Sequence, residues 1–311
     1  MEVGLIGGGR TAAAIAENLL AAGHQLTIFN PPPKKGQDPA PTGATIAKRL
    51  RDACNVDAVI TVLTSDQRVE EVVLSDGGLA AAMPAGAIHI CMSTIGIELS
   101  RRLAAAHADR VQRYVAAPVF GRSDAAAKGE LCIFVAGRAD TISRCQPLFE
   151  VMGRQTVEVG PDPAEANLLQ LCAIGLVASL FESLRETIVL SERGGIAPER
   201  FLKLMSRSVF ATGPEASYSA LIAAVRAPAV TTAKQSRRRA APLIETANAP
   251  NAKLPLASLN QVELDSLISR GLVALDWLAV ATSGGAEGIS EAPAADSRSG
   301  RGQVRGPPTS A

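Results

Sequence analysis

Glu2-Val-Gly-Leu-Ile-Gly-Gly-Gly-Arg-Thr-Ala-Ala-Ala-Ile-Ala-Glu-Asn-Leu-Leu20 is the stretch that decides the fold. A short apolar run, Val3 to Ile6, ends in three glycines, and a helical pattern opens at once with Ala12, Ile15, Ala16, Leu19 and Leu20 on one face. Strand, tight turn and helix N-terminus in that order are the part of a doubly wound α/β fold that receives a dinucleotide pyrophosphate. Gly7 permits the sharp turn, and Gly9 has no Cβ to keep the backbone from the phosphates. The N–H groups of the first helical turn, Arg10 and Thr11 among them, present partial positive charge to the anion. Ala12 stands where the fingerprint has its third glycine, small enough for the helix to pack on the strand.

A second strand, Gln25 to Phe29, ends at Asn30, where an NAD site usually carries a carboxylate for the ribose 2′-hydroxyl. Pro31, Pro32, Pro33, Lys34 and Lys35 follow instead. A neutral residue followed by lysines suits a 2′-phosphate, so NADP(H) is expected over NAD(H). Two lysines on a solvated loop are the alternative.

The 311 residues suffice for two domains. With 47% apolar but only 3% aromatic residues, the packing must be largely aliphatic. A net charge of +1 argues against a broad nucleic-acid surface. The five cysteines are scattered without ligand-like spacing, and His24, His89 and His107 are equally isolated, so neither disulfides nor a metal site is expected. The chain opens directly on a strand, which reads as no signal peptide. Leu168 to Leu180, interrupted by Gln170 and Gly175, reads as a buried helix of a cytoplasmic protein and not as a membrane span.

Further along, the pattern predicts a helix over Thr45 to Asp52 and a strand over Ala58 to Leu63. Thr64-Ser65-Asp66 then caps a helix over Gln67 to Leu74. A strand over Ala87 to Met92 ends at Ser93-Thr94. Ligands of such sheets bind beyond the carboxyl ends of the strands, so Leu63, Thr64, Ser93 and Thr94 point to the cofactor crevice. Ser93 reads equally well as an N-cap for a helix over Ile97 to Ala106. Tyr114 to Phe120, Leu131 to Ala136 and Thr156 to Val159 complete the strands. One long helical pattern, Ala164 to Arg193, is stopped by Gly194-Gly195. At about 1.5 Å per residue it reaches roughly 45 Å, suited to leaving one domain and entering another. Shorter helical patterns cover Pro198 to Ser208, Ser217 to Val225, Ala233 to Thr246 and Asn260 to Ala281. The division expected is an NADP-binding Rossmann domain over 1–162, a helical C-terminal domain over 163–283 that includes the interdomain helix 164–193, and a disordered tail over 284–311.

This order of motifs resembles the β-hydroxyacid dehydrogenase family, which includes the 3-hydroxyisobutyrate dehydrogenases and has imine reductases as relatives. The likeness rests on Gly4-Leu-Ile-Gly-Gly-Gly9 with Asn18-Leu-Leu-Ala-Ala-Gly-His24, on Ser93-Thr-Ile95, and on Ala117-Pro-Val-Phe-Gly-Arg122 with Gly129. Ala166-Asn-Leu-Leu-Gln170 through Glu182 to Gly194-Gly-Ile196 extends it, as does Leu275-Asp-Trp277. The resemblance implies an N-terminal Rossmann domain, an all-helical C-terminal domain and a homodimer in which those helices interlock. It also implies an oxidoreductase acting in the cleft between domains.

The departures are specific. The family's long helix carries a lysine that protonates the carbonyl oxygen and, one turn later, an asparagine that helps hold substrate. The resemblance puts Gln170 and Ile174 at those positions. A substrate loop with Ser-Gly-Gly in the hydroxyacid enzymes reads Phe120-Gly121-Arg122, and the family's Lys-Asp pair falls near Arg238-Arg239. Hydride addition to a ketone creates an alkoxide that needs a proton. A glutamine amide has none to give, though it can donate a hydrogen bond to developing negative charge. Losing acid catalysis costs about 100- to 10,000-fold, whereas an iminium is already protonated. Gln170, Ser93 and Tyr218 are therefore the catalytic candidates, though Tyr218 reads more readily as core or wall packing. Arg122 is a candidate carboxylate fork or a solvated arginine, and Asn167 reads as a helix-surface residue. An NADP-dependent reductase of a small C=O or C=N substrate stands beside a non-catalytic dinucleotide sensor or partner subunit. A decarboxylating sugar-acid dehydrogenase fits less well, because it needs the same lysine and asparagine.

Overall fold

The computed structural model describes residues 1–30, 41–208, 237, 241–242 and 255–269. Among them nine strands form one sheet: β1 (Glu2–Ile6), β2 (Gln25–Phe29), β3 (Thr45–Ile46), β4 (Ala58–Thr61), β5 (Ile88–Cys91), β6 (Arg113–Ala116), β7 (Val119–Phe120), β8 (Leu131–Gly137) and β9 (Gly153–Gly160). Their order is β3-β2-β1-β4-β5-β6-β8-β7, with β9 also paired to β8. The first six are parallel in the doubly wound order. β8 then runs antiparallel to β6 and β7 and parallel to β9.

The central strands are apolar without alternation because both faces are covered. Val3, Leu5, Ile60 and Ile90 pack on one side with Ile15 and Leu19 of α1 (Arg10–Ala21). Ile6, Val59 and Cys91 face the other side, against Val69 and Val73 of α2 (Asp66–Leu74). A one-turn α3 (Leu79–Ala82) and α4 (Ile97–Ala108) complete that second layer.

Several elements differ from expectation. Thr45 and Ile46 are not helical: they pair with Thr27 and Ile28 as β3, in keeping with their β-branched side chains. Only Leu50–Ala53 coils, as a 3₁₀ turn, with the Arg49 backbone and guanidinium both donating to Asp52. The run from Tyr114 to Phe120 is two strands, because Pro118 has no N–H to continue the ladder. An unforeseen helix, α6 (Ala139–Met152), lies between β8 and β9. Pro147 in its interior masks it in the sequence. Burial of Ile142, Cys145, Leu148, Phe149 and Met152 on the α1 side of the sheet offsets that cost.

β9 ends at Gly160, and α7 (Pro163–Arg193) begins with Asp162 accepting from the Ala164 N–H at 3.0 Å. At 31 residues it is long and apolar enough to cross a bilayer by length and composition. The expected buried helix is only partly that. Its first turns, with Ala164, Asn167, Gln170 and Leu171, are buried against the sheet domain, while Leu176 and Leu190 are 64% and 72% exposed. Its later half packs on α8 (Pro198–Arg207) through Leu184 and Ile188, and α9 (Pro255–Ser269) also contacts α7. The helical patterns expected over 217–225, most of 233–246 and the end of 260–281 lie outside the described residues, as does the tail.

Two of the histidines read as isolated are joined inside the core. Gln112 Nε2 donates to the Ala80 and Met83 carbonyls, at 3.0 and 2.7 Å, which leaves its Oε1 to accept from His107 Nδ1 at 2.7 Å. His107 Nε2 must then accept from His89 Nδ1 at 2.8 Å, and His89 Nε2 from the Thr61 hydroxyl at 3.0 Å. Burial keeps both rings neutral, and with neutral rings every donor points one way. Burial holds His89 well below the usual imidazole range. Burial, aided by Arg110 and opposed by the Gln112 bond, takes His107 down to about 4. The unfolded chain takes up protons below about pH 6.5 that the folded one refuses. The stabilisation is therefore complete above that value and lost as pH falls towards 4, by roughly 3 kcal/mol through His107 alone. Thermal unfolding followed from pH 7.5 to 4 should show the loss, and His107→Gln should flatten the acid limb relative to the native chain.

Candidate functional site

The carboxyl ends of β1, β2, β4 and β5 finish side by side. Gly7 N–H donates to the Phe29 carbonyl at 3.1 Å, and Val62 N–H to the Ile6 carbonyl at 2.9 Å. The turn at Gly7 needs glycine twice over: its φ is +152°, and a Cβ would lie 2.4 Å from the Val62 carbonyl oxygen. Gly9 is the N-cap of α1, with no side-chain cap and no acidic residue in the first turn. A Cβ there would meet nothing within 4 Å. An exposed, uncapped helix start flanked by open space is what a pyrophosphate requires, so the residues present fit a dinucleotide. Arg10 and Thr11 lie in this first turn. Asn30 stands beside it: a Cβ on Gly8 would come within 2.2 Å of the Asn30 amide.

The next strand ends are tied together. Ser93 is not an N-cap; Gly96 holds that place on α4, and its N–H donates to Asp66 at 2.9 Å. The Ser93 side chain, 1% exposed, accepts from the Leu63 N–H at 2.9 Å and donates to the Thr61 carbonyl at 3.4 Å. It thereby locks the end of β4 to the end of β5. Leu63 and Thr94 are half-buried around this lock, and Thr64 is exposed. Ser65, not Thr64, caps α2, accepting from the Arg68 N–H at 3.3 Å.

Gln170 reaches this edge from α7. Its Nε2 donates to the Thr94 hydroxyl at 3.1 Å and to the Val119 carbonyl at 2.8 Å. The structure therefore joins Gln170 to Thr94 and to the strand leading into Phe120, Gly121 and Arg122. Those three residues are half-buried, as is Ile174 one turn further along α7. The expectation of a free oxyanion donor is corrected here, because both Gln170 amide hydrogens are already bonded to protein. Arg122 is not a bare fork either: its Nε lies 3.2 Å from Asp124, in α5 (Ser123–Ala127).

Asn167, expected on the helix surface, is 0% exposed, and neither of its side-chain polar atoms has a partner among the described residues. The signal was present: Ala164, Asn167 and Leu171 are spaced by three and four, the inward stripe of a helix. Glu182, twelve residues beyond Gln170, is also buried and bonded to Arg185 at 2.8 Å. Lys34 and Tyr218 lie outside the described residues, as do Arg238 and Arg239, while Arg237 pairs with Asp265 of α9 at 2.7 Å. Among the described residues no cluster of His, Cys, Asp or Glu has a metal-holding arrangement.

Residues 2–160, which include the whole nucleotide half, match the NAD binding domain of 6-phosphogluconate dehydrogenase. The chain belongs to this dehydrogenase family. Within it, an uncharacterised oxidoreductase of Bacillus subtilis, YfjR, is 35% identical over 282 residues, 90% of this chain and 98% of that protein. An NAD-dependent L-serine dehydrogenase of Pseudomonas aeruginosa is 34% identical over 208 residues, 67% of this chain and 70% of its own length. Among solved structures, a Mycobacterium tuberculosis 3-hydroxyisobutyrate dehydrogenase superposes with a TM-score of 0.74 at 21% identity, covering 90% of this chain and 98% of its own. An imine reductase from Myxococcus stipitatus gives 0.59 at 17% identity, covering 89% and 97%. The chain is thus a 3-hydroxyisobutyrate dehydrogenase-like NAD(P)-dependent oxidoreductase of Rossmann fold.

The bare N-cap of α1 gives this family assignment a direct test. Gly9→Asp supplies the missing cap, which in helices contributes about 1 kcal/mol, yet puts a carboxylate where the phosphates would lie. The variant should melt at or above the native temperature while its dissociation constant for NADPH, by calorimetry, rises at least ~100-fold.

Proposed function

We propose that this chain is an NADP(H)-preferring reductase of a small C=O or C=N compound, working where α7 meets the strand ends. The observation that carries the proposal is the Gln170 amide spanning Thr94 and Val119, because it joins the nucleotide edge of the sheet to the wall of the cleft. Gly7, Gly9, Arg10 and Thr11 would hold the pyrophosphate, with Asn30 and Lys34 at the adenosine ribose. Leu63, Thr64 and Thr94 would line the nicotinamide end. When bound, that cofactor supplies or accepts a hydride.

The chain's own side chains do the rest in this proposal. Ser93 fixes the height of the β4 and β5 ends, so that Leu63 and Thr94 present a constant floor. Phe120, Gly121, Arg122 and Ile174 form the substrate wall. Arg122 would take a carboxylate only by exchanging Asp124 for it. NADP is preferred because Asn30 brings no charge to repel a 2′-phosphate and Lys34-Lys35 lies within five residues. Calorimetry should find NADPH at least ~10-fold tighter than NADH, a difference of about 1.4 kcal/mol. Asn30→Asp should reverse that order. Equal or absent binding of both coenzymes overturns the proposal.

A second reading, a dinucleotide-binding sensor or partner subunit without turnover, is favoured by one feature: the resemblance puts an amide where the family's proton donor stands. NADPH binding with no oxidation across keto-acids, aldehydes and cyclic imines would select it.

The family likeness also supports a homodimer. Leu168, Leu176 and Leu190 of α7, with Leu256, Leu259 and Val262 of α9, expose apolar side chains that a second copy would cover. Light scattering at micromolar concentration should give about twice the 32.2 kDa chain mass.

A further inference from the structure

The amide of Gln170 is polarised by its surroundings. A carbonyl can only accept, so the atom facing the Val119 oxygen at 2.8 Å must be the nitrogen. Its second hydrogen goes to Thr94 at 3.1 Å. What remains is Oε1, buried and without a partner among the described residues. One turn earlier on the same inward stripe, both polar atoms of Asn167 are also buried and unpartnered among the described residues. Each such atom costs about 1–3 kcal/mol if left unsatisfied. Three on one helical turn, next to the half-buried Thr94 and Val119, mark where a polar group completes the site.

We infer that Gln170 selects a nitrogen substrate: its one unmade bond accepts from the N–H of a protonated C=N group, or of the corresponding amine, and rejects the isosteric carbonyl. The inference rests on the reductase reading above and narrows its substrate. A carbonyl oxygen placed here would set lone pair against lone pair, and no proton would be at hand for the alkoxide. An N–H donor satisfies Oε1, and the uncharged amide oxygen keeps the C=N nitrogen protonated. In the step, the iminium carbon gains a hydride and the C=N π pair becomes the nitrogen lone pair, the positive charge passing to the coenzyme, which would supply the hydride when bound and is itself oxidised. No proton has to be delivered, so Gln170 needs none.

Two measurements decide it. NADPH oxidation by the native chain should proceed with a kcat/KM at least ~100-fold higher for 1-pyrroline than for cyclopentanone. Independently of turnover, calorimetry on the NADPH-loaded protein should show pyrrolidine at least ~10-fold tighter than tetrahydrofuran, a ring of the same size that only accepts. Gln170→Lys, which replaces the acceptor by a cation, should abolish that difference. Cyclopentanone reduced as well as 1-pyrroline, tetrahydrofuran bound as tightly as pyrrolidine, or a folded Gln170→Lys chain that keeps the preference for pyrrolidine each overturns the inference. If Gln170→Lys does not fold, the paired ligands on the native chain decide alone. Failure of NADPH itself to bind is a different result, and overturns the reductase reading.

Discussion

The parallel register that sets Ile6 opposite Phe29 and Thr61 is the constraint on which the rest depends. It brings three strands to an end at one level, so the glycine turn, Asn30 and the residues after β4 share an edge. Covering both faces with helices makes that register costly to slip, since a shift of one residue would move each strand's apolar set to the opposite layer. Ser93 adds the fourth strand by a single buried hydroxyl that both accepts and donates. A dinucleotide cradle of this kind is rigid because its backbone atoms are used up in the sheet, and not because its side chains are large.

Gln170 is the point at which the helical part of the chain touches that cradle. A lysine at the same place would bring a charge and a titratable proton; the glutamine brings a planar group with fixed donor and acceptor ends. Once the donor end is bonded to Thr94 and Val119, the residue acts as a strut between the nucleotide edge and the substrate wall. Its chemistry is reduced to one lone-pair-bearing oxygen.

Much of this was legible in the sequence. The glycine turn, the α1 face of Ala12, Ile15, Ala16 and Leu19, the central strands and the length of α7 follow from periodicities that burial on known faces imposes. The residues misread share a different property: their roles depend on distant partners. Thr45 and Ile46 pair with residues eighteen positions back in the chain, Pro147 is tolerated only because its helix packs on α1, and Ser93 serves the Leu63 backbone. His89 and His107 are eighteen residues apart and yet adjacent rings, with Tyr114 stacked on His107. Local spacing carries no record of such pairings. At the site, the type of residue at 170 was readable, while the direction of its hydrogen bonds was settled by the Val119 carbonyl.

The cysteines give the fold a practical property. Burial pushes the Cys54 and Cys145 thiols up to about 11 and 12 and raises Cys91, so none of the three presents a thiolate at neutral pH. Cys172 alone of the five is exposed, on α7 two residues past Gln170. A maleimide dye would therefore favour that position, and because Cys172 lies four residues from both Leu168 and Leu176, its labelling would report whether a second copy covers that stripe of α7.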